Sequence, residues 1–251
     1  TRQHISLFRS LQKVTFHGNN FQDLPSSSLF GSVSHSRLHT LNISANYIVN
    51  LNANALKGLP NLRVLDLSNN EIVLKESDVD FLTHTPRLTH VLDLSYNFLQ
   101  SVPYDLPCPF PSLSSLDLRQ NFLKTLSVNA SCVPNIRFLD LSRNQFYSLT
   151  PTFRQLASMA RPDTYVLRNP FHCDCKSSEY VTWVRSTDVI RDKHTLVCDR
   201  ASPRNYVGAR LVEVPLHKLD CSVNLFAMSS TQPQFLTLLF IVILISFFDP
   251  L

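Results

Sequence analysis

Six stretches of this chain repeat one spacing, and that spacing restricts the fold more than any other feature. Aligned on asparagine, they follow Leu-x-x-Leu-x-Leu-x-x-Asn-x-Leu. The copies run Leu11, Val14, Phe16, Asn19, Phe21, then Leu38, Leu41, Ile43, Asn46, Ile48, then Leu62, Leu65, Leu67, Asn70, Ile72. They continue with Leu92, Leu94, Asn97, Leu99, then Leu113, Leu116, Leu118, Asn121, Leu123, and Ile136, Leu139, Leu141, Asn144, Phe146. Successive asparagines lie 27, 24, 27, 24 and 23 residues apart, with 25 more to Asn169. A unit that short cannot bury its own apolar face, so the copies must stack.

The period is that of a leucine-rich repeat. We expect an α/β solenoid, with short parallel strands on a concave face, a mostly irregular convex side and leucines alternating inward along each strand. Each asparagine stands where the chain bends, able to bond backbone groups otherwise buried without partners. Phe8, Leu59, Phe110 and Val133 lie eleven residues before their asparagines and predict an apolar rib under the convex loops. The fourth copy carries an extra residue, which puts Thr89 at the first leucine position and predicts a bulge or a displaced turn entry. A seventh copy is degraded: Arg161 and Thr164 replace apolar positions, while Val166 and Phe171 keep the inward set. Before Leu11 there are no capping cysteines, so Ile5 and Phe8 read as the tail of a preceding repeat, with the N-terminal cap missing.

Six cysteines, at 108, 132, 173, 175, 198 and 221, predict three disulfides and an oxidising compartment. A zinc site using Cys173, Cys175 and His172 is the weaker alternative, because Cys198 and Cys221 supply no matching close pair. Cys108 and Cys132 have almost one repeat period between them, which predicts a staple between neighbouring convex loops. The domains expected are repeats over 1–160, a cysteine-rich cap over 161–222, a juxtamembrane linker over 223–234 and a membrane segment over 235–251. The apolar run Phe235 to Phe248 reads either as a spanning helix cut short or as the tail of a lipid-anchor signal, with a buried core helix as a third reading. Trp183, with Tyr180, Val181, Val184 and Ile190 at helical spacing, predicts the plug of the cap.

Between the inward leucines, one column on the concave face reads Asp66, Asp93, Asp117, Asp140, with Arg63, Arg137 and Arg119 in flanking columns. These seven residues are the candidate binding face, although such residues also serve as solvated filler in repeats of this kind. Identical positions give the carboxylates near-identical surroundings, so an acid and a base cannot be separated, and an enzyme is not expected. The 23 basic and 19 acidic residues are interspersed, net charge +4, which does not suggest a nucleic-acid surface. No pattern calls for a cofactor or a metal. Asn42-Ile43-Ser44 and Asn129-Ala130-Ser131 are glycosylation sequons.

The repeat followed by Asn169-Pro170-Phe171, Cys173-Asp174-Cys175, Cys198 and Cys221 resembles the leucine-rich-repeat C-terminal cap of extracellular receptors. That resemblance implies the pairs Cys173 with Cys198 and Cys175 with Cys221. Within the cap, Val181-Thr182-Trp183-Val184-Arg185-Ser186-Thr187-Asp188-Val189-Ile190 and Leu219-Asp220-Cys221 are similar to the trophoblast glycoprotein (5T4 oncofetal antigen) family. The resemblance implies a plasma-membrane glycoprotein on the cell surface that takes an extracellular protein ligand or co-receptor and inhibits Wnt signalling. The alternatives are a Toll-like or adhesion receptor ectodomain, or a matrix protein of the small proteoglycan type, against which the apolar terminal segment speaks.

Overall fold

The computed structural model describes residues 10–52, 54–75 and 89–221. Residues 1–220 form one compact unit and 221–251 a second, of which only Cys221 is described. The frame of the first unit is a seven-stranded parallel sheet in sequence order. Its strands are β1 (Lys13–Thr15), β2 (Thr40–Asn42), β3 (Val64–Asp66), β4 (Val91–Asp93), β5 (Ser115–Asp117), β6 (Phe138–Asp140) and β7 (Asp163–Tyr165). In β2 to β6 the central residue is a buried leucine and its two neighbours are half-buried, as a strand with one face on the core requires.

What ties each of β2 to β7 to the repeat before it is the asparagine that follows the strand. Asn46, Asn70, Asn97, Asn121, Asn144 and Asn169 are all buried. Each amide donates to a carbonyl of the preceding repeat at 3.0 to 3.1 Å. Each side-chain oxygen accepts a backbone N–H from that same repeat at 3.0 to 3.2 Å. The residue just before the asparagine is left-handed in every repeat. Gly18, Ala45, Asn69, Tyr96, Gln120, Arg143 and Arg168 have φ between 53° and 71°, although their side chains have nothing in common. For a non-glycine residue this costs on the order of 1 kcal/mol, which the bonds of the neighbouring asparagine offset.

The predicted bulge at the fourth copy does not form. β4 pairs with β3 and β5 without a break in register. Thr89 takes the first leucine position fully buried, which it can do because its hydroxyl donates to the Leu62 carbonyl at 3.2 Å. Residues 76–88, which precede it, lie outside the described residues. Under the convex loops Leu59, Phe110 and Val133 are buried, and Phe8 lies outside the described residues. Among the described residues the convex side carries a short 3₁₀ turn at Ala130–Cys132 and then helix α1 (Pro151–Ala160), which starts on a Thr150 cap with proline in its first turn and buries Phe153, Leu156, Ala157 and Ala160.

β7 would be an exposed sheet edge, and the following segment closes it. Thr164 donates its backbone N–H to Val189 and accepts from Arg191. Val166 donates to Asp192 Oδ2 at 2.9 Å, where the equivalent Leu118 and Leu141 donate to backbone carbonyls. A carboxylate thus stands in for an eighth strand. Helix α2 (Ser178–Ser186) and the short parallel pair β8 (His172–Cys173) and β9 (Arg200–Ala201) complete this end.

In α2 the fully buried residues are Tyr180, Val181 and Val184, and Trp183, predicted as the plug, packs against the same core without being fully enclosed. It is half-buried on the flank, edge-on to Phe153 with ring centres 6.3 Å apart. Among the described residues no helix is long and apolar enough to cross a membrane, and the predicted segment 235–251 lies outside them.

Candidate functional site

The strand register turns the sequence columns into physical ones. Asn42 pairs with Asp66, Asp66 with Asp93, Asp93 with Asp117, and Asp117 with Asp140. The four carboxylates therefore stand side by side, one strand spacing or about 4.8 Å apart along the backbone. All are half-buried on the concave face. The predicted column is real, and it has a local role. One oxygen of Asn42 and of each aspartate accepts the backbone N–H two residues on, at 2.8 to 3.0 Å. Those bonds fix the chain as it leaves the strand towards the left-handed residue and the asparagine.

The remaining oxygens differ, so the surroundings are less uniform than repetition implies. Asp66 Oδ2 accepts from the Asn42 amide at 2.6 Å. Asp117 lies 3.4 Å from Arg119, whose guanidinium also sits 5.6 Å over the Tyr96 ring. Burial raises the Asp117 carboxyl from its ordinary 3.8 to about 6. The Arg119 backbone N–H opposes that, the charges of Asp93 and Asp140 add to it, and the Arg119 charge opposes it.

Arg63 and Arg137 are exposed and stand three residues before Asp66 and Asp140, about 10 Å along an extended chain. Between the two columns runs a half-buried one containing Val64, Val91 and Phe138. His90 and Ser114 stand between the two arginines and Ser115 between Val91 and Phe138, so of the three columns only the acidic one is continuous across β3 to β6, and Arg119 lies at its edge, apart from Arg63. Tyr165, which the sequence columns did not single out, pairs with Asp140 in register, ends the acidic band and lies 5.6 Å from Phe138 between ring centres.

Cys108 and Cys132 form a disulfide with Cα atoms 4.8 Å apart, and Cys173 and Cys198 form another at 5.7 Å. Cys175 and Cys221 are also disulfide-bonded. Both sequons are folded into turns. Asn42 accepts the Ser44 N–H and hydroxyl; Asn129 accepts the same groups of Ser131 and donates to Asp105 at 3.0 Å. Among the described residues no three His, Cys, Asp or Glu side chains are grouped to hold a metal ion.

Seven stacked strands, a buried asparagine ladder and a disulfide-bonded cap define a solenoid whose concave surface is built from side chains held in fixed columns. That is a protein-interaction architecture. Two leucine-rich-repeat models match the sequence, one over 9–72 and 86–146 and the other over 61–84, together more than half of it, and the chain belongs to the leucine-rich-repeat family. It is similar to trophoblast glycoprotein of Macaca fascicularis, 25% identical over 247 residues, covering 81% of this chain and 58% of that protein. It is also similar to Toll-like receptor 2 type-2 of Gallus gallus, 29% identical over 231 residues, covering 82% of this chain and 28% of the receptor. The chain therefore spans less than two thirds of the length of either relative. The crystal structure of human 5T4 (Wnt-activated inhibitory factor 1, trophoblast glycoprotein) shares its fold with a TM-score of 0.67, over 84% of this chain and 88% of that one at 24% identity.

Proposed function

We propose that this chain is the recognition portion of a cell-surface protein that binds an extracellular protein ligand on its concave face and inhibits Wnt signalling. The acidic column and the arginines beside it carry the reading. Four part-buried aspartates on consecutive strands, the exposed Arg63 and Arg137, and a partly apolar column with Val64, Val91 and Phe138 between them offer a protein partner charge contacts on two sides of a less polar centre. Support for the Wnt reading comes from the likeness to trophoblast glycoprotein, and support for an oxidising, extracellular setting from the disulfides. In this reading 1–160 are the repeats, 161–222 the cap, 223–234 a linker and 235–251 a membrane segment or lipid-anchor signal.

A Wnt reporter assay with the chain expressed on cells tests it. Reporter output should fall, and should recover when Arg63, Val91 and Asp93 are replaced together by alanine. Unchanged output from the unmodified chain sinks the Wnt reading. The likeness to Toll-like receptor 2 favours a second one, an innate-immune receptor ectodomain using the same face for a different ligand.

A further inference from the structure

After each ladder asparagine the chain runs on extended for three residues, the middle one buried and the outer two facing out. These outer positions form two columns down one side of the solenoid. The first reads Tyr47, Glu71, Phe98, Phe122, Gln145 and the second Val49, Val73, Gln100, Lys124, Tyr147. Backbone bonds hold the columns in step: Glu71 N–H donates to Ile48, Phe98 to Ile72, Phe122 to Leu99 and Gln145 to Leu123, at 2.8 to 3.1 Å. Six of the ten residues are large and apolar, and Tyr47, Val49, Val73, Phe98, Phe122 and Tyr147 are each 38 to 53% exposed. Phe98 and Phe122 stack at 5.8 Å with their rings 13° from parallel. Together the six leave about 450 Å² of apolar side chain in water, within the range of a functional patch on a monomer.

We infer that this stripe is the face on which two copies of the chain associate about a two-fold axis. The placement of its charges points to that occupant. A two-fold lying in the face, across the columns and through Phe98, reverses the order of repeats while keeping each column opposite itself. Phe98 then meets Phe98 of the second copy, and Glu71 meets Phe122 beside Lys124. One carboxylate and one ammonium, the only charges on the stripe, come within side-chain reach of each other, and symmetry makes the contact twice. Val73 lies opposite the Lys124 methylenes, and Gln100 opposite Gln100. Neither Glu71 nor Lys124 has an ion pair within its own chain among the described residues. Doubled across the axis, the apolar area is about 900 Å², and a polar rim brings it to the roughly 1,200 Å² at which specific interfaces begin. Neither sequon asparagine lies on this face: Asn42 is on the concave strand β2 and Asn129 on a convex loop.

Sedimentation velocity on the full chain, at concentrations on the order of 10 µM and above, reads the association directly. The expected result is a dimer. Glu71→Lys and Lys124→Glu should each weaken it about tenfold by placing like charges together, and the double reversal should restore it to within about threefold. Association through the apolar terminal segment would ignore both reversals. A chain that stays monomeric, a dimer unmoved by the single reversals, or a double reversal no better than either single one overturns the inference. So does a chain that binds a different protein on the stripe without pairing with itself. Because these substitutions lie on the exposed surface, an unchanged melting temperature keeps the comparison valid.

Discussion

Replacing Asn121 with alanine removes four hydrogen bonds, and their surroundings decide which of them matters. The Asn121 amide donates to the carbonyls of Leu94, Leu118 and Arg119, and its oxygen accepts the Leu99 N–H at 3.0 Å. All three carbonyls keep a second donor: Leu94 accepts from Asn97, Leu118 from Asn144, and Arg119 from the Tyr96 N–H. Only the Leu99 N–H, on a fully buried residue, is left without its partner. An orphaned buried donor costs roughly 1 to 3 kcal/mol, and the three lost carbonyl bonds, whose acceptors each keep a second donor, together add about 1 kcal/mol, so the loss should be about 3 kcal/mol. Melting should fall by roughly 6 to 12 °C for a unit of this size. Asn19, exposed and bonded among the described residues to the Phe16 and His17 carbonyls, gives the control, with a loss below about 1 kcal/mol on substitution by alanine. Urea denaturation followed by circular dichroism measures both, and hydrogen exchange at Leu99 localises the effect. Equal losses at Asn121 and Asn19, or no faster exchange at Leu99, would refute the claim that the ladder acts through its acceptor bond to the neighbouring repeat.

Two further substitutions test the electrostatics. The Asp117 carboxyl titrates at about 6 in the fold and near 3.8 when exposed, so its neutral form is favoured by folding. That contribution is complete below about pH 4 and is lost as pH rises through about 6, and stability should fall over this window. With the side chain 15% exposed and the Arg119 pair largely in solvent, Asp117→Asn should stabilise the protein by about 1 to 2 kcal/mol at about pH 7 and flatten the slope between about pH 4 and 6; an unaltered pH profile contradicts this. Asn42, already an amide at the same position, shows that the local bonds survive the change. At the sheet edge, Asp192→Ala should lose about 2 kcal/mol by orphaning the Val166 N–H, whereas Asp192→Asn keeps an acceptor and should stay within about 1 kcal/mol. Urea unfolding monitored by Trp183 fluorescence distinguishes them, and equal losses would show that the acceptor is immaterial.

Much of the fold was legible because a repeat states its register many times over. One misplaced leucine, such as Thr89, leaves five other copies to set the strand positions, and the hydroxyl then finds a carbonyl that no local pattern announces. The candidate columns followed from the same periodicity, since residues at equal positions in parallel strands become neighbours. The single-occurrence features were harder to read. Trp183 drew attention by its size, yet the residues its helix buries fully are Tyr180, Val181 and Val184, with Trp183 packed half-buried beside them. Asp192 has no counterpart in the repeats, and its role depends on where the chain returns after α2.

The amino-acid sequence alone determined the stacking unit, the number of turns it could form, the column to which each side chain belongs and the oxidising chemistry of the cysteines. These are local or periodic properties, and they survive without coordinates. Tertiary structure decided what each column experiences. Burial raises the Asp117 carboxyl, the turn after each asparagine exposes alternate apolar residues, and the Arg119 guanidinium comes to lie over the Tyr96 ring of the neighbouring turn. Such properties depend on distances between residues about one repeat apart in sequence, which come into being only when the repeats close on one another.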